Sequence, residues 1–257
     1  MDHPVKITLV ANAGVLMEYR DKKLLLDGIF HAESHEENPF SNIPAPLWSE
    51  MTEGRPPFDG IDCLLFTHNH VDHFSPELTR EYLAKQPVKA VFLPTDEGEQ
   101  GGLRRLLQEK GIPFLSLDTV ANGRPVPLES GITVTAFHTR HVDKAFLTTP
   151  HDCYLLSFDG KKLLFTADVD YTFETFPELK DVPLRAVFVN PLFFGALQSR
   201  RFFRGELQTR TICIYHVPFP EDDIMHYRNI LIQGIARWGA DREELLLLDQ
   251  AGQQVVL

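Results

Sequence analysis

The sequence has few cysteines, no long hydrophobic run and no basic N-terminal segment, and each absence excludes a class of protein. The three cysteines, Cys63, Cys153 and Cys213, are odd in number and lie in apolar, strand-like runs. We therefore expect buried free thiols in a reducing compartment, with the cytoplasm as the location. No stretch approaches the roughly 18 consecutive apolar residues that a membrane span needs. The first residues do not resemble a secretory signal, so we expect neither a membrane partner nor export.

Basic residues are also in short supply, with 25 Lys and Arg against 36 Asp and Glu and a formal charge of −11. Phosphate backbones are held by Lys and Arg, so this balance argues against a nucleic-acid partner. The hydrophobic content of 43 % is that of an ordinary globular protein. A chain of 257 residues also buries a sizeable core without disulfides or structural metals. Any metal that it holds is therefore free to be functional.

The two halves of the chain show a similar order of predicted elements. Hairpin, strand and helix patterns follow one another in both, and Lys22-Lys-Leu-Leu recurs as Lys161-Lys-Leu-Leu on the return strand of a hairpin. Two sheets packed face to face with helices outside form one of the few stable layerings. We therefore predict an α/β fold, a four-layer αβ/βα sandwich. The prediction is a single domain, 1–257, with pseudo-halves of about 1–122 and 123–257.

Local signals place several helices and one long irregular segment. Ser75-Pro-Glu provides an N-cap, a proline and an acid, and predicts a helix through about Lys85. Further helices are predicted over Leu103–Lys110 and Asp222–Trp238. From His31 to Pro57 the sequence has no helical or strand periodicity and is rich in Pro, Asn, Ser and Glu, which predicts a loop that serves a site.

The most informative segment is Thr67-His-Asn-His-Val-Asp-His73, between a buried strand and a helix. His68 and His70 are two residues apart on an extended turn, so they point the same way and can share one cation. Asp72 and His73 follow where the backbone curls, so they can face a second cation. Imidazoles with a carboxylate suit zinc, and also iron or manganese. A polar turn that only caps the next helix would not explain three histidines within six residues.

This segment resembles the signature of the metallo-β-lactamase-fold metallohydrolase superfamily, Thr-His-x-His-x-Asp-His after an apolar strand. Other segments are similar to further motifs of that family and occur in its order. They are Asp27, similar to an early structural aspartate, Val134-Thr-Ala-Phe-His-Thr-Arg-His141, Leu164-Phe-Thr-Ala-Asp168 and Ile212-Cys-Ile-Tyr-His216. Many members have glycine where this chain has Ala167, for which we expect a slight local difference in the backbone.

The resemblance implies two divalent metal ions, zinc in the first place, with manganese or iron as alternatives. The first would be held by His68, His70 and His141, and the second by Asp72, His73 and His216, with Asp168 between them. Asp72 and Asp168 would be the catalytic carboxylates that orient the nucleophile. His138 competes with His141 as a ligand, and strand alternation favours His141.

Substrate contacts are expected from three segments, Phe30–Phe58, Asp143–Asp152 and Leu192–Arg210. Within them we single out His151 and, for an anionic group on the substrate, Arg200, Arg201 and Arg204. The alternative for the last segment is an amphipathic helix with Phe in the core and Arg in water.

The resemblance implies a hydrolase that uses a hydroxide bridging the two metals to cleave an ester, lactone or phosphoester in a small metabolite, for which an anionic group is expected. The branch that includes L-ascorbate-6-phosphate lactonase is the most similar. The alternatives are a phosphodiesterase or nuclease of the same fold, a non-heme iron oxidoreductase on the same scaffold, and a metal-binding module without turnover. The charge of −11 argues against a nuclease, and the complete ligand set argues against a module without turnover. A homo-oligomer is compatible with the sequence.

Overall fold

The computed structural model describes residues 3–32, 40–95, 100–170, 179–196, 202–203, 207–238 and 244–257. Sixteen strands and five α-helices have bounds within this part of the chain. The strands are β1 (Lys6–Ala11), β2 (Gly14–Tyr19), β3 (Lys22–Leu26), β4 (Cys63–Leu65), β5 (Ala90–Leu93), β6 (Phe114–Ser116), β7 (Pro125–Pro127), β8 (Ile132–Arg140), β9 (Pro150–Phe158), β10 (Lys161–Phe165), β11 (Pro183–Leu184), β12 (Ala186–Val189), β13 (Gln208–Thr209), β14 (Thr211–Ile214), β15 (Glu244–Leu247) and β16 (Gln254–Val256). The helices are α1 (Ala45–Glu53), α2 (Pro76–Lys85), α3 (Gly101–Lys110), α4 (Pro191–Gly195) and α5 (Tyr227–Trp238).

Two seven-stranded mixed sheets form the centre of the fold. The first has the order β16-β1-β2-β3-β4-β5-β6, and the second has the order β15-β14-β12-β10-β9-β8-β7. Strands β3 to β6 run parallel, which requires crossover connections, and α2 and α3 lie on two of them. The C-terminal strand β16 pairs with β1 in the first sheet, so this sheet takes strands from both ends of the chain. The division into pseudo-halves stays a prediction.

The two sheets pack against each other through one apolar layer and are covered on their outer faces by helices. Ile7 and Val15 of the first sheet share the inner core with Phe158 and Phe165 of the second. On the outer face of the first sheet, Leu64 packs in a cluster that includes residues of α1, α2 and α3. On the outer face of the second, apolar residues pack with α4 and α5. The predicted four-layer αβ/βα sandwich is confirmed.

Predicted helix positions differ in accuracy. Helix α2 follows its prediction, and the Ser75 hydroxyl accepts a hydrogen bond from the Leu78 N–H at 3.2 Å. Helix α5 begins at Tyr227 rather than Asp222, because the Asp223 carboxylate accepts hydrogen bonds from the Tyr227 and Arg228 N–H groups at 2.8 and 3.0 Å. These bonds hold the N–H groups of the first turn, so the helix is shorter than predicted at its N-terminus.

The segment from His31 to Pro57 contains helix α1, which corrects the expectation of a purely irregular loop. Proline is tolerated in the first turn of a helix, and Pro46 lies there. The buried side chain of Met51 packs into the outer core, and Gly54 ends the helix in the left-handed conformation at φ 63°. Tertiary packing therefore supplies a helix that the local composition does not indicate.

Two further expectations concern the cysteines and the membrane. All three cysteines are buried and free, as predicted. Within the described ranges, no helix combines the length and the apolar character that crossing a bilayer would require.

Candidate metal centre

Seven ligand-type side chains meet where four strands end at one edge of the two sheets. His68 to His73 follow β4, His141 follows β8, Asp168 follows β10 and His216 follows β14. The carboxyl ends of strands are where α/β folds build their sites. The structure groups the side chains into two clusters, one of His68, His70 and His141, and one of Asp72, His73, Asp168 and His216. Within each cluster the ligand atoms lie within 4.8 Å of one another.

The first cluster consists of three imidazoles. The His68 Nε2 atom lies 3.1 Å from the His70 Nδ1 atom. The rings of His70 and His141 pack at a centroid distance of 4.7 Å. The Nε2 atom of His141 is buried and has no hydrogen-bond partner within the described chain. A buried nitrogen without a partner is costly, and a cation would remove that cost.

The second cluster combines two imidazoles with two carboxylates. The Nε2 atoms of His73 and His216 lie 2.9 Å apart. An oxygen of Asp72 lies 3.8 Å from the former and 3.5 Å from the latter. Nitrogen and oxygen donors in this number suit zinc, iron or manganese.

Asp168 lies between the clusters. Its Oδ2 atom is 3.4 Å from His73 Nε2 and 3.5 Å from His141 Nε2, and its Oδ1 atom is 3.4 Å from His216 Nε2. The Asn190 amide donates a hydrogen bond to Oδ1 at 3.1 Å, and the Asp168 N–H donates to His151 Nε2 at 3.0 Å. The carboxylate is therefore held in a position from which it reaches both clusters.

A buried hydrogen-bond network behind the clusters sets the orientation of two imidazoles. Asp27 accepts hydrogen bonds from the Thr67 N–H at 2.8 Å, the Thr67 hydroxyl at 2.7 Å and His73 Nδ1 at 2.9 Å. The Thr67 hydroxyl lies 2.9 Å from His68 Nδ1. Because this hydroxyl donates to Asp27, it accepts from His68 Nδ1–H. In both His68 and His73, Nδ1 then carries the proton, and Nε2 presents its lone pair to a cluster.

The charge states of these groups also suit a metal. Burial lowers the pKa of His68, and it lowers that of His70 to about 4, so both imidazoles are neutral at pH 7. Burial opposes the ionisation of Asp168, but the neighbouring imidazoles of His216 and His141 outweigh it and hold its pKa well below the usual value. Burial likewise opposes a charge on His73, but Asp72 and Asp27 raise its pKa well above the usual value. A cation that binds there would replace this proton.

The backbone adopts the left-handed conformation at Ala167, with φ 44°. Glycine would adopt it freely, so the departure from the family pattern falls on a position with a conformational demand. The Ala167 N–H donates to the Tyr215 hydroxyl at 3.1 Å, and the Ala167 carbonyl accepts from Asn190 at 3.0 Å. Side chains therefore hold the peptide that precedes Asp168.

The other predicted residues lie in different places. His138 is exposed and binds Asp152 Oδ1 at 2.5 Å, away from the clusters, whereas His141 joins them. His151 is 2 % exposed, and its nitrogens bind the Asp168 N–H and the Thr139 hydroxyl. This corrects the expected substrate contact, because both ring nitrogens are used inside the protein. Arg200, Arg201 and Arg204 lie outside the described residues.

The phenylalanines of the segment Leu192–Arg210 pack in the core. Phe193 and Phe194 of α4 are buried, as are Phe202 and Phe203, in a cluster that includes Trp238. This burial agrees with the amphipathic alternative for the apolar half of the segment.

A cavity of about 610 Å³ opens over the two clusters. Its wall includes Phe40 and Phe146 from segments predicted to supply substrate contacts. It also includes Tyr227, Asn69 and Asn190, which the sequence analysis missed. Asn69 lies within the ligand motif and Asn190 directly follows a buried strand, and these positions could have identified both as residues of the site. Tyr227 had no such signal, since it begins a helix far along the chain.

Comparisons with known proteins agree with this architecture. A family described as "Beta-lactamase superfamily domain" matches residues 38–190. No curated protein matches the sequence significantly. Among solved structures, an isothiocyanate hydrolase from Delia radicum gut bacteria has a TM-score of 0.64 at 16 % identity, over 98 % of each chain. YhfI from Bacillus subtilis, a metallo-β-lactamase fold protein, has a TM-score of 0.62 at 14 % identity, over 99 % of this chain and 100 % of that chain.

A third structure extends well beyond this fold. CmlA, a diiron β-hydroxylase from Streptomyces venezuelae, has a TM-score of 0.57 at 20 % identity, over 100 % of this chain and 54 % of that chain. This protein thus spans about half the length of CmlA.

The fold and the two clusters define a metallo-β-lactamase-type protein with a candidate dinuclear centre. The family match covers more than half of the chain, so the chain belongs to the beta-lactamase superfamily. The predicted superfamily and fold class are thereby confirmed, and membership supports the prediction of an enzyme. At these identities the solved structures add the fold alone.

Proposed function

We propose that the protein is a dinuclear metal-dependent hydrolase that cleaves an ester, lactone or phosphoester bond in a small molecule. One observation carries the proposal: Asp168 lines a cavity of about 610 Å³ and lies 3.4 Å from His73 of one ligand cluster and 3.5 Å from His141 of the other. This volume is that of a small-molecule site. Zinc is the proposed metal, because imidazoles supply five of the seven ligands.

Bound divalent cations supply a water-derived nucleophile at neutral pH and polarise a carbonyl or phosphoryl oxygen. The residues of the chain prepare the site for this chemistry. The carboxylates of Asp72 and Asp168 would offset part of the charge of cations held at the two clusters. Asn190 and His151 hold Asp168 in place through its Oδ1 atom and its N–H.

The finer placement near the L-ascorbate-6-phosphate lactonase branch rests on the sequence resemblance. It requires an anionic substrate, for which Arg200, Arg201 and Arg204 remain the proposed contacts. A small-molecule substrate without a nucleic-acid partner is part of the proposal. It is supported by the net charge of −11 and by the absence of Lys and Arg among the described residues that line the cavity.

The test is metal analysis of gently purified protein, followed by a screen of lactones, esters, thioesters and phosphodiesters with that metal restored. We expect about two metal ions per chain, from the two clusters, and turnover of one of these classes. Asp168→Asn should lower turnover at least about 100-fold, because one side chain serves both clusters. Asp62→Asn removes the same charge outside the cavity and is the matched control. Unchanged turnover in Asp168→Asn would contradict the proposal.

A second candidate is a non-heme iron oxidoreductase on the same scaffold. The fold likeness to CmlA, described as a diiron β-hydroxylase, and the carboxylates of the second cluster favour it. Oxygen uptake by iron-loaded but not by zinc-loaded protein would distinguish it from the hydrolase.

A further inference from the structure

We propose that the substrate carries, remote from the scissile bond, an uncharged, flat apolar group of the aryl class that is held against Phe40, Tyr227 and Phe146. The inference rests on the proposed function and names the substrate class of that same site.

The wall of the cavity places an aromatic ring beside each cluster. The Phe146 ring packs on His70 at a centroid distance of 4.5 Å and on His141 at 5.6 Å. On the other cluster, the Phe40 ring packs on His216 at 4.1 Å. Phe40 also stacks on Tyr227 at 5.2 Å with an angle of 11° between the rings. A group that enters the cavity therefore meets an aromatic ring beside either ligand cluster.

Beyond the ligands, the rest of the described wall is apolar, amide or negative. Val71, Val142 and Leu192 add aliphatic surface, Asn69 and Asn190 add neutral amides, and the charged residue is Asp143. None of the cavity-lining residues within the described ranges is Lys or Arg. An anionic group in this part of the cavity would lose water without gaining a cation, which is costly.

The charge of the metals does not alter this conclusion for the remote group. Cations held at the two clusters would attract the scissile group. The remote group lies along the wall, where it contacts side chains rather than metal. Flat apolar groups gain from both burial and ring stacking there.

A binding experiment tests the inference without turnover. Zinc-loaded protein is titrated by calorimetry with three hydroxamates that share one metal-binding group: acetohydroxamate, benzohydroxamate and 4-carboxybenzohydroxamate. We expect benzohydroxamate to bind about tenfold more tightly than acetohydroxamate, the discrimination typical of a hydrophobic pocket. We expect the added carboxylate to remove about tenfold in affinity.

Variants identify the wall as the cause. Phe146 is 43 % exposed, so Phe146→Ala should fold normally. It should reduce the preference for benzohydroxamate over acetohydroxamate to about threefold or less, whereas Phe146→Tyr keeps the ring and should retain it. Leu115→Ala removes another exposed apolar side chain, outside the cavity lining, and should leave both affinities unchanged.

The outcomes separate the inference from the function on which it rests. Tighter binding of the carboxylated compound, or a preference that survives both Phe146→Ala and Phe40→Ala, would overturn the inference. The expected preferences in a protein that hydrolyses none of the screened substrates would overturn the hydrolase and support the aromatic wall. Failure of all three compounds to bind would overturn the metal centre and the inference with it.

Discussion

Replacing Asp27 with asparagine tests whether one buried carboxylate sets the proton positions of both clusters. The Thr67 N–H is a fixed donor, so it keeps the amide oxygen of the new side chain on its side. In the natural protein, Asp27 Oδ2 accepts hydrogen bonds from the Thr67 hydroxyl and His73 Nδ1. In the variant, the amide NH₂ group takes the place of this oxygen. An NH₂ group donates, so His73 must accept through Nδ1 and carry its proton on Nε2. The Thr67 hydroxyl likewise turns to donate to His68, whose proton also moves to Nε2.

The expected magnitude follows from these contacts. A proton on Nε2 removes the lone pair that faces each cluster, and loss of such orienting partners typically costs about 10–100-fold in metal affinity. The fold should survive, because asparagine accepts the φ of 46° at this position and fills the same volume. We expect a loss of about 1–3 kcal/mol in unfolding free energy from the weakened hydrogen bonds. Asp27→Ala, which leaves buried donors unpaired, should lose about 3–5 kcal/mol.

Calorimetric titration with zinc measures the metal affinity, and urea denaturation of the metal-free protein measures the free energy of unfolding. Asp62→Asn is the matched control, since it removes a carboxylate that binds Lys22 and Lys89 away from the centre. Its zinc affinity should equal that of the natural protein. If Asp27→Asn binds zinc at both clusters with unchanged affinity, the proton assignment derived from the network is wrong.

Three further outcomes are expected. His151→Leu removes the acceptor of the Asp168 N–H and should lower the free energy of unfolding, measured by urea denaturation, by about 1–3 kcal/mol. His151→Gln keeps an acceptor on its side chain and should lose less. Equal losses in the two variants would contradict this role of His151. The hydrogen bond with Asp152 raises the pKa of His138 in the folded protein. The contribution of this pair to stability is therefore complete below the unfolded pKa of about 6.5 and is lost as the pH rises through the folded pKa. NMR titration should show a lower pKa of His138 in Asp152→Asn, and an unchanged pKa would exclude the pair as the cause. Chelation of bound zinc should lower the melting temperature, because a ligand present at about 100 times its Kd adds about 2.7 kcal/mol to the free energy of unfolding. Differential scanning calorimetry with and without chelator measures the change. Equal melting temperatures would argue against bound metal.

Elements with local signals could be predicted from the sequence. The N-cap at Ser75 depends on a few adjacent residues, since its hydroxyl accepts a hydrogen bond from the Leu78 N–H in the first turn of the helix. Helix α1 could not be predicted in the same way, because its prolines favour irregular structure. It forms where Met51 packs into the outer core, and that contact depends on residues far away in the sequence.

In the candidate site too, residues with a local sequence signal could be predicted, and residues brought together only by tertiary packing could not. Four of the seven ligand-type residues lie within one six-residue segment, and a local spacing was enough to group them. The others follow separate strands, and their order along the chain was read from a family resemblance. The aromatic wall had a coarser signal, because Phe40 and Phe146 lie in long segments predicted to supply substrate contacts, and Tyr227 had none. Phe40, Phe146 and Tyr227 belong to a loop, a short turn and a helix start, and only the packed structure brings them to one cavity.

The position of Asp168 shows why tertiary contacts decide the final geometry of the centre. Alanine in the left-handed conformation costs roughly 1–2 kcal/mol, so the sequence at Ala167 does not by itself favour the observed turn. Three hydrogen bonds oppose that cost, from the Ala167 N–H to Tyr215, from Asn190 to the Ala167 carbonyl, and from the Asp168 N–H to His151. At a net contribution of about 1 kcal/mol each, they are sufficient to hold the turn. The carboxylate that reaches both clusters is therefore fixed by residues of other strands, which also explains why alanine can stand where glycine would fold more easily.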